Sequence, residues 1–263
     1  MTDIYDIYAV RYGHHFRHAA ANFVGGDPHD APMPLDYFVW VIRGENGTYL
    51  FDTGFDAAMA AKRKRDLVRP VEDGLRLIGI TPDSVREIIL SHLHFDHCGN
   101  HDLFPNARYH LQDVEMAYCT GRCMCHPVLR QPFEAEDVTN MVRKLYEGRV
   151  VFHDGVSEIA PNLIAHRVGG HSKGLQILRV LTRRGWVVLG SDAAHFYANV
   201  EEARPFPVVE SITDMLDGYE TMKRLASSPR HIIPGHDPLV LRRYPLHHPD
   251  IADIVRLDLD ALG

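Results

Sequence analysis

The chain has 263 residues, 45% of them apolar, and its 28 Lys plus Arg against 35 Asp plus Glu give a formal charge of −7. This length suits one large domain or two small ones with buried cores, and the acidic balance disfavours a broad nucleic-acid-binding face. No segment approaches the roughly 18 apolar residues of a membrane span and the first residues do not form a signal peptide, so we expect a soluble cytoplasmic protein that contacts neither nucleic acid nor membrane.

The first third of the chain is predicted to consist mainly of strands and turns. Strands are predicted over residues 4–12, 37–43 and 48–52, and the turn Glu45-Asn46-Gly47 joins the last two into a hairpin. A loop of about two dozen residues, containing several Gly and Pro, separates the first two strands. Because loops of this length usually have a function, we expect it to overhang a site.

Helices then alternate with strands along the chain. A helix is predicted over 56–69, ended by Pro70, with Lys62 to Arg65 on a solvated face, and a second helix precedes the turn at Thr81-Pro82. Later elements are strands in 85–92, 107–112 and 150–153, helices over 113–120, 134–147 and 211–226, a hairpin over 175–192, and a short strand before His236. Two halves of similar design and no linker between them predict two packed sheets with helices outside.

The densest group of potential metal ligands is the segment SHLHFDH, which ends at His97. His92 and His94 alternate on an extended segment and therefore point the same way, while Asp96 and His97 follow where the chain turns. A polar loop that is rich in histidine by chance is the alternative interpretation. Three further residues each follow an apolar strand and lie beside glycine or serine: His171, Asp192 and His236.

Five histidines and two aspartates are enough ligands for two metal ions, with three or four protein groups for each ion and one carboxylate shared. Imidazole and carboxylate without thiolate favour Zn²⁺, and Fe, Mn or Co are substitutes that the ligand types allow. Cys119, Cys123 and Cys125 with His126 are a second candidate zinc site. Their spacing lacks paired CxxC motifs, so we interpret these cysteines as scattered reduced thiols.

The HxHxDH segment, followed in this order and at this spacing by His171, Asp192 and His236, resembles the metallo-β-lactamase superfamily over nearly the whole chain. The resemblance implies an α/β fold, a four-layer αββα sandwich, as a single domain over residues 1–263. It implies that one metal ion is bound by His92, His94 and His171, and the second by Asp96, His97 and His236. Asp192 would bridge both ions, and Asp52 would orient a ligand.

The resemblance also implies the chemistry. In the family, a water between two divalent ions loses a proton near neutral pH and attacks a carbonyl carbon, so no side-chain nucleophile is needed. Aspartate at position 192, where the true zinc β-lactamases have cysteine, disfavours antibiotic hydrolysis. The long loop before Tyr37 and the spacing of the later motifs are most similar to the N-acyl-homoserine lactone lactonases. This similarity implies hydrolytic opening of a small-molecule lactone, with Asp96 among the catalytic groups.

One residue departs from the lactonase pattern. Those lactonases usually carry a tyrosine three residues after the bridging aspartate, where this chain has His195. A histidine there could hydrogen-bond the carbonyl or protonate the leaving oxygen, so we include His195 with the catalytic candidates; Tyr197 cannot be assumed to replace the tyrosine. A thioester, a cyclic amide or a phosphodiester is an alternative substrate, a non-hydrolytic di-iron module is an alternative function, and a homo-oligomer is compatible with the sequence.

Several apolar residues near these motifs could line a substrate pocket, but aromatic and Met residues are more often part of a core. We therefore favour a core position and leave the following residues out of the candidate site: Phe23, Met33, Tyr37, Phe38 and Phe196.

Overall fold

The computed structural model describes residues 3–45 and 47–262. Two β-sheets pack face to face, and helices cover the outer face of each sheet. This arrangement is the four-layer αββα sandwich that the sequence predicts. None of the helices in these two ranges combines the length and the hydrophobicity of a transmembrane helix.

The strands form two sheets. In chain order they are β1 (Asp6–His15), β2 (Leu35–Gly44), β3 (Gly47–Phe51), β4 (Asp66–Leu67), β5 (Glu87–Ile89), β6 (Arg108–Gln112), β7 (Val150–His153), β8 (Val156–Ala160), β9 (Leu163–Arg167), β10 (Gln176–Thr182), β11 (Gly185–Leu189), β12 (Ile232–Ile233), β13 (Leu246–His248) and β14 (Ile251–Arg256). The larger sheet has the order β13-β14-β1-β2-β3-β5-β6-β7, with β4 paired to β1. The smaller sheet has the order β12-β11-β10-β9-β8.

The helices lie outside the two sheets. In chain order they are α1 (Ala57–Arg63), α2 (Val71–Leu77), α3 (Phe95–Cys98), α4 (Asp113–Cys119), α5 (Pro127–Arg130), α6 (Ala135–Tyr146), α7 (Tyr197–Glu201), α8 (Ile212–Leu225) and α9 (Leu239–Arg243). Buried residues of α1, α2, α4 and α6 pack on the larger sheet, and those of α7 and α8 pack on the smaller one.

Strand β2 shows why the sheets stack. Its residues from Leu35 to Ile42 are all buried, as expected for a strand with both faces covered. Trp40 points into the layer between the sheets, whereas Val39 and Val41 point to the layer beneath the helices. On the other side of the molecule, α8 packs through residues 215, 219 and 222, one stripe of an amphipathic helix.

The structure corrects the predicted end of the first helix. Helix α1 ends at Arg63 instead of residue 69, because Lys64 adopts a left-handed conformation with φ of 54°. The following residues then form β4, in which Asp66 pairs with His14 and Leu67 with Gly13 of β1. The run from Lys62 to Arg65 therefore spans a helix end and a turn.

Other strand predictions were incomplete. Strand β1 continues to His15, beyond the predicted end at residue 12, because a register shift between Arg11 and Gly13 keeps it paired with β2. Strands β8, β9, β13 and β14 were not predicted. The β2–β3 hairpin forms as expected, although Asn46 of its predicted turn lies outside the described residues.

Candidate metal centre

The predicted ligands lie on loops at one edge of the sandwich. Strand β3 pairs in parallel with β5, and β11 pairs in parallel with β12, so the carboxyl ends of each pair lie at the same edge of their sheet. The loop after β5 carries the segment from His92 to His97, and α3 begins within it at Phe95. His171 lies between β9 and β10, Asp192 follows β11, and His236 follows β12.

His92, His94 and His171 form the first group of ligands. Each offers a ring nitrogen, and the three nitrogens lie within 4.8 Å of one another. The ring centroids of His92 and His94 are 4.3 Å apart, and those of His94 and His171 are 4.5 Å apart. All three side chains are buried.

Asp96, His97 and His236 form the second group, again with potential ligand atoms within 4.8 Å. Asp96 Oδ2 is 3.7 Å from His97 Nε2 and 3.9 Å from His236 Nε2. The helical turn at α3 places Asp96 and His97 on the same side as the two histidines that precede them.

Asp192 lies between the two groups. Its Oδ1 is 2.9 Å from His236 Nε2 and 3.3 Å from His97 Nε2. Its Oδ2 is 3.2 Å from His171 Nε2. One carboxylate oxygen thus faces each group, which is the arrangement that a bridging carboxylate requires.

Glycine at position 235 lets the chain approach Asp192. A Cβ atom on Gly235 would lie 2.9 Å from Asp192 Oδ1 and 2.7 Å from the carbonyl oxygen of Ser191. Such contacts are too short, so a side chain at this position would displace the carboxylate.

Hydrogen bonds to Nδ1 fix the orientation of the imidazoles. His97 Nδ1 donates to Asp52 Oδ2 at 2.8 Å, and His171 Nδ1 donates to the Val208 carbonyl at 2.6 Å. His236 Nδ1 donates to the backbone carbonyl of residue 36 at 2.9 Å. With the proton on Nδ1, the lone pair is on Nε2, which faces the centre.

His92 follows the same rule. The Ser91 hydroxyl donates to Asp52 and therefore accepts a hydrogen bond from His92 Nδ1 at 2.8 Å. The Nε2 atoms of His92, His97 and His171 are buried and make no hydrogen bond with the described residues. Buried nitrogens with free lone pairs that converge on two carboxylates fit divalent metal ions.

Electrostatics keep His92 and His94 neutral. Burial, reinforced by the neighbouring histidines, lowers the pKa of His92 and His94 well below the usual value, so both rings are neutral. For His97 and His236, burial lowers the pKa but Asp192 and Asp96 outweigh it and raise the pKa, and a cation at Nε2 would take the place of that proton. Burial raises the pKa of Asp192, but four surrounding histidines outweigh it and hold that pKa well below its usual range. Neutral imidazoles and an ionised carboxylate are the forms that bind metals.

A narrow cavity of about 90 Å³ opens onto these groups. Besides the candidate ligands, it is lined by residues that the sequence interpretation did not assign to the site: Arg17, Leu35, Tyr37, Arg63, Arg65, Phe95, Gln131, Pro132 and Val208. The long loop begins and ends at this cavity, with Arg17 and Leu35 in its wall. The prediction that Lys62 to Arg65 lies on a solvated face was wrong for Arg63 and Arg65.

Comparison with known proteins gives the family. A family model of the metallo-beta-lactamase superfamily matches residues 33–245, which is most of the chain. The chain belongs to this superfamily. An N-acyl homoserine lactonase from Bacillus cereus is 29% identical over 222 residues, 78% of this chain and 82% of that protein. An N-acyl homoserine lactonase from Bacillus thuringiensis is 30% identical over 190 residues, 66% of this chain and 70% of that protein.

A solved structure shows the same fold. The structure of an N-acyl homoserine lactone hydrolase, with the product N-hexanoyl-L-homoserine bound at its catalytic metal centre, superimposes with a TM-score of 0.77. It is 22% identical, and the match covers 94% of this chain and 98% of that chain. Together with the family match, this similarity confirms the predicted αββα sandwich.

His195 lies within the centre of this superfamily member and not on its surface. It is 6% exposed, its Nε2 is 3.1 Å from Asp192 Oδ2, and its ring stacks on Phe206 with centroids 3.6 Å apart. Burial lowers the pKa of His195 to about 3, although Asp192 opposes the shift. Tyr197 packs instead in the layer between the sheets, beneath Arg243, and does not line the cavity.

The structure also bears on the second candidate zinc site and on the apolar residues near the motifs. Among residues 3–45 and 47–262, no group of potential metal ligands includes a cysteine, and all four cysteines are free. Burial raises the pKa of the Cys119 thiol, which donates to the Met116 carbonyl. Phe23, Phe38 and Phe196 are buried as expected, whereas Met33 is only half-buried. Tyr37 is buried but also forms part of the cavity wall.

Proposed function

We propose that the protein is a metal-dependent hydrolase that opens a lactone ring at a centre of two divalent metal ions. The observation that carries the proposal is the convergence of five imidazoles and two carboxylates in one buried cluster centred on Asp192. Five of these seven side chains line the cavity: His94, Asp96, His171, Asp192 and His236. The similarity to N-acyl homoserine lactonases, over most of the length of both proteins, supports a lactone as the substrate. Hydrolysis consumes water, breaks the ring C–O bond and leaves a hydroxyl group and a carboxylate.

The proposed ligands of the first ion are His92, His94 and His171, and those of the second are Asp96, His97 and His236. Asp192 would bind both ions through its two oxygens. Imidazole and carboxylate donors favour Zn²⁺, and Fe, Mn or Co suit the same donors. Two such ions, when bound, polarise the substrate carbonyl and activate water for attack.

The protein groups around the centre have separate roles. Asp52 holds His97 through Nδ1 and thereby fixes the direction of its free nitrogen. Asp96, whose carboxylate faces the cavity, is proposed to carry a proton from the attacking water to the departing ring oxygen. His195 also lines the cavity. Its Nε2–H donates to Asp192 Oδ2 at 3.1 Å, and we propose that this N–H turns to the substrate once Asp192 holds the ions.

The first experiment combines metal analysis of the purified protein with a pH-indicator assay on lactones. The panel contains N-acyl-homoserine, γ-, δ- and aromatic lactones, together with a thioester, a cyclic amide and a phosphodiester. We expect about two metal ions per chain, as two groups of ligands imply, and acid release from a lactone. Two ions with turnover of another substrate class would refute lactone hydrolysis, and a protein without stoichiometric metal would refute the proposed centre.

Asp192→Ala tests the bridging carboxylate. We expect the variant to hold fewer metal ions and to lose roughly 100-fold or more in kcat/KM, because both groups lose a ligand. Asp217→Ala, on the exposed face of α8, is the matched control and should keep both properties. Full metal content and activity in Asp192→Ala would contradict the assignment.

A further inference from the structure

We propose that the substrate carries a carboxylate close to the lactone ring, and that Arg17 and Arg65 bind it. This inference rests on the proposed function and specifies its substrate class. Arg17 and Arg65 line the cavity in front of the candidate ligands, and both are half-buried.

Neither guanidinium has an acidic partner among the described residues. Arg65 donates from Nε to the Tyr37 hydroxyl at 2.8 Å and from Nη1 to the backbone carbonyls of residues 63 and 64. Arg17 donates from Nη2 to the Ala21 carbonyl. Arg65 Nη2, and Nε and Nη1 of Arg17, are left without a partner in the described structure.

Arg63, in the same cavity wall, has an acidic partner, as a half-buried arginine usually does. Its guanidinium pairs with Glu134 and donates to the carbonyls of Gln131 and Phe133. Elsewhere Arg11 pairs with both Asp36 and Asp253. In a chain with more acidic than basic residues, two half-buried arginines without a carboxylate indicate that the partner is a ligand.

The fold places the two arginines side by side. Strand β4 pairs antiparallel with β1, with Asp66 opposite His14, so Arg65 lies beside His15. Arg17 follows two residues later on the chain. Burial lowers the pKa of His15 to about 4, and the positive charges of Arg65 and Arg17 are the next largest causes. Both guanidinium charges are therefore close to the His15 ring.

The two arginines lie next to the candidate metal ligands. The Tyr37 ring, whose hydroxyl accepts from Arg65, contacts the His236 ring with centroids 5.0 Å apart. The Arg65 guanidinium carbon is 6.0 Å from the ring of Phe95, which lies between His94 and Asp96 in the chain. A carboxylate on the arginines is thus separated by one side chain from the metal ligands.

The test uses two matched probes, γ-butyrolactone bearing a carboxylate at its γ-carbon and the corresponding carboxamide. Arg17→Met, Arg65→Met and the double variant are compared with Arg130→Met, an exposed arginine that does not line the cavity. The wild type should prefer the carboxylate, and each cavity variant should lose about 10- to 100-fold in kcat/KM for it, as expected for charged hydrogen bonds. Carboxamide hydrolysis should change less than about threefold, and Arg65→Lys should recover part of the loss.

A binding measurement separates this inference from the proposed function. Calorimetry on the metal-loaded protein compares the ring-opened hydroxy-dicarboxylate with its monoamide, and needs no turnover. We expect the wild type to bind the dicarboxylate at least about tenfold more tightly, and the double variant to bind both equally. Failure of lactone hydrolysis with this preference intact would refute the proposed function alone. No preference in the wild type, or the same preference in the double variant, would overturn the carboxylate site.

Discussion

Asp52 connects four groups around the candidate centre. Its Oδ1 accepts from the Ser91 amide at 2.6 Å, and its Oδ2 accepts from His97 Nδ1 and from the hydroxyls of Ser91 and Ser191. Its φ of 63° is uncommon for a residue other than glycine, although aspartate tolerates it better than most. Since Ser91 belongs to the larger sheet's loop and Ser191 to the smaller sheet's, Asp52 fixes the position of one loop relative to the other.

His195 can be tested at the same scale. If its Nε2 hydrogen-bonds the substrate, His195→Ala should lower kcat by roughly 100-fold and leave KM and metal content nearly unchanged. Phe206→Leu, which removes the stacked ring but leaves the imidazole, is the control for packing and should have a much smaller effect. Unchanged kinetic constants in His195→Ala would remove this residue from the catalytic groups.

The sequence could predict the seven ligand candidates because four lie within six residues and the others follow apolar strands beside glycine or serine. The family resemblance also implied Asp52, which holds His97. The sequence could not predict the anchors of His171 and His236, because these are backbone carbonyls, which carry no residue signal. Arg17 and Arg65 were missed for a different reason. They are 48 positions apart in the numbering, and the pairing of β4 with β1 that brings them together involves two residues of each strand.

At the scale of elements, short β-strands were the least predictable. The β8–β9 hairpin turns through Pro161 and Asn162, and Asn162 has φ of 65°, as a turn with glycine or asparagine at its third position requires. This Pro-Asn pair was a usable signal. Strand β13 has three residues and lies at the edge of the larger sheet, paired with β14, so it offers too short a pattern to be recognised.

Helix α6 contains a group that makes stability depend on pH. Burial, with Glu134 and Asp56 as further causes, raises the pKa of Asp137 from 3.8 to about 7. The unfolded chain therefore loses this proton at lower pH than the folded protein does, and stability falls as pH rises from about 4 to 7. Asp137→Asn removes the cost of ionising this buried carboxyl, and it should raise the free energy of unfolding by about 1–2 kcal/mol at pH 8.

Denaturant unfolding of Asp137→Asn and wild type between pH 5 and 8.5 measures this effect. The stability gain should grow up to pH about 7 and then level off. Asp250→Asn, at a side chain that is 90% exposed, is the control and should show no such trend. A gain that is independent of pH would contradict the assignment to Asp137.

At the scale of the whole molecule, the two sheets share one apolar layer. It combines Trp40 and Phe51 of the larger sheet with Leu178 and Leu189 of the smaller one. On the basis of this common core we propose that residues 1–263 form a single domain, and we expect that domain to unfold in one cooperative transition.

Removal of the metal ions should lower Tm by roughly 10 °C, because ligands that bind only the folded state stabilise it and the unfilled centre leaves buried nitrogens without partners. Scanning calorimetry before and after treatment with a chelator, and again after Zn²⁺ is added back, measures the shift. In Asp192→Ala, the chelator should change Tm much less than in the wild type. An unchanged Tm in the wild type, or two separate transitions, would contradict the predictions at this scale.

Each proposed ligand group takes two members from the loop after β5 and one from the smaller sheet, which supplies His171 to the first group and His236 to the second. Each ion would therefore act as a cross-link between the two layers, comparable to a disulfide that a chelator can open. Neither half of the chain holds a complete group, so metal affinity would appear late in folding, once the layers have docked. Metal uptake by the nascent chain would then report that the sandwich has closed.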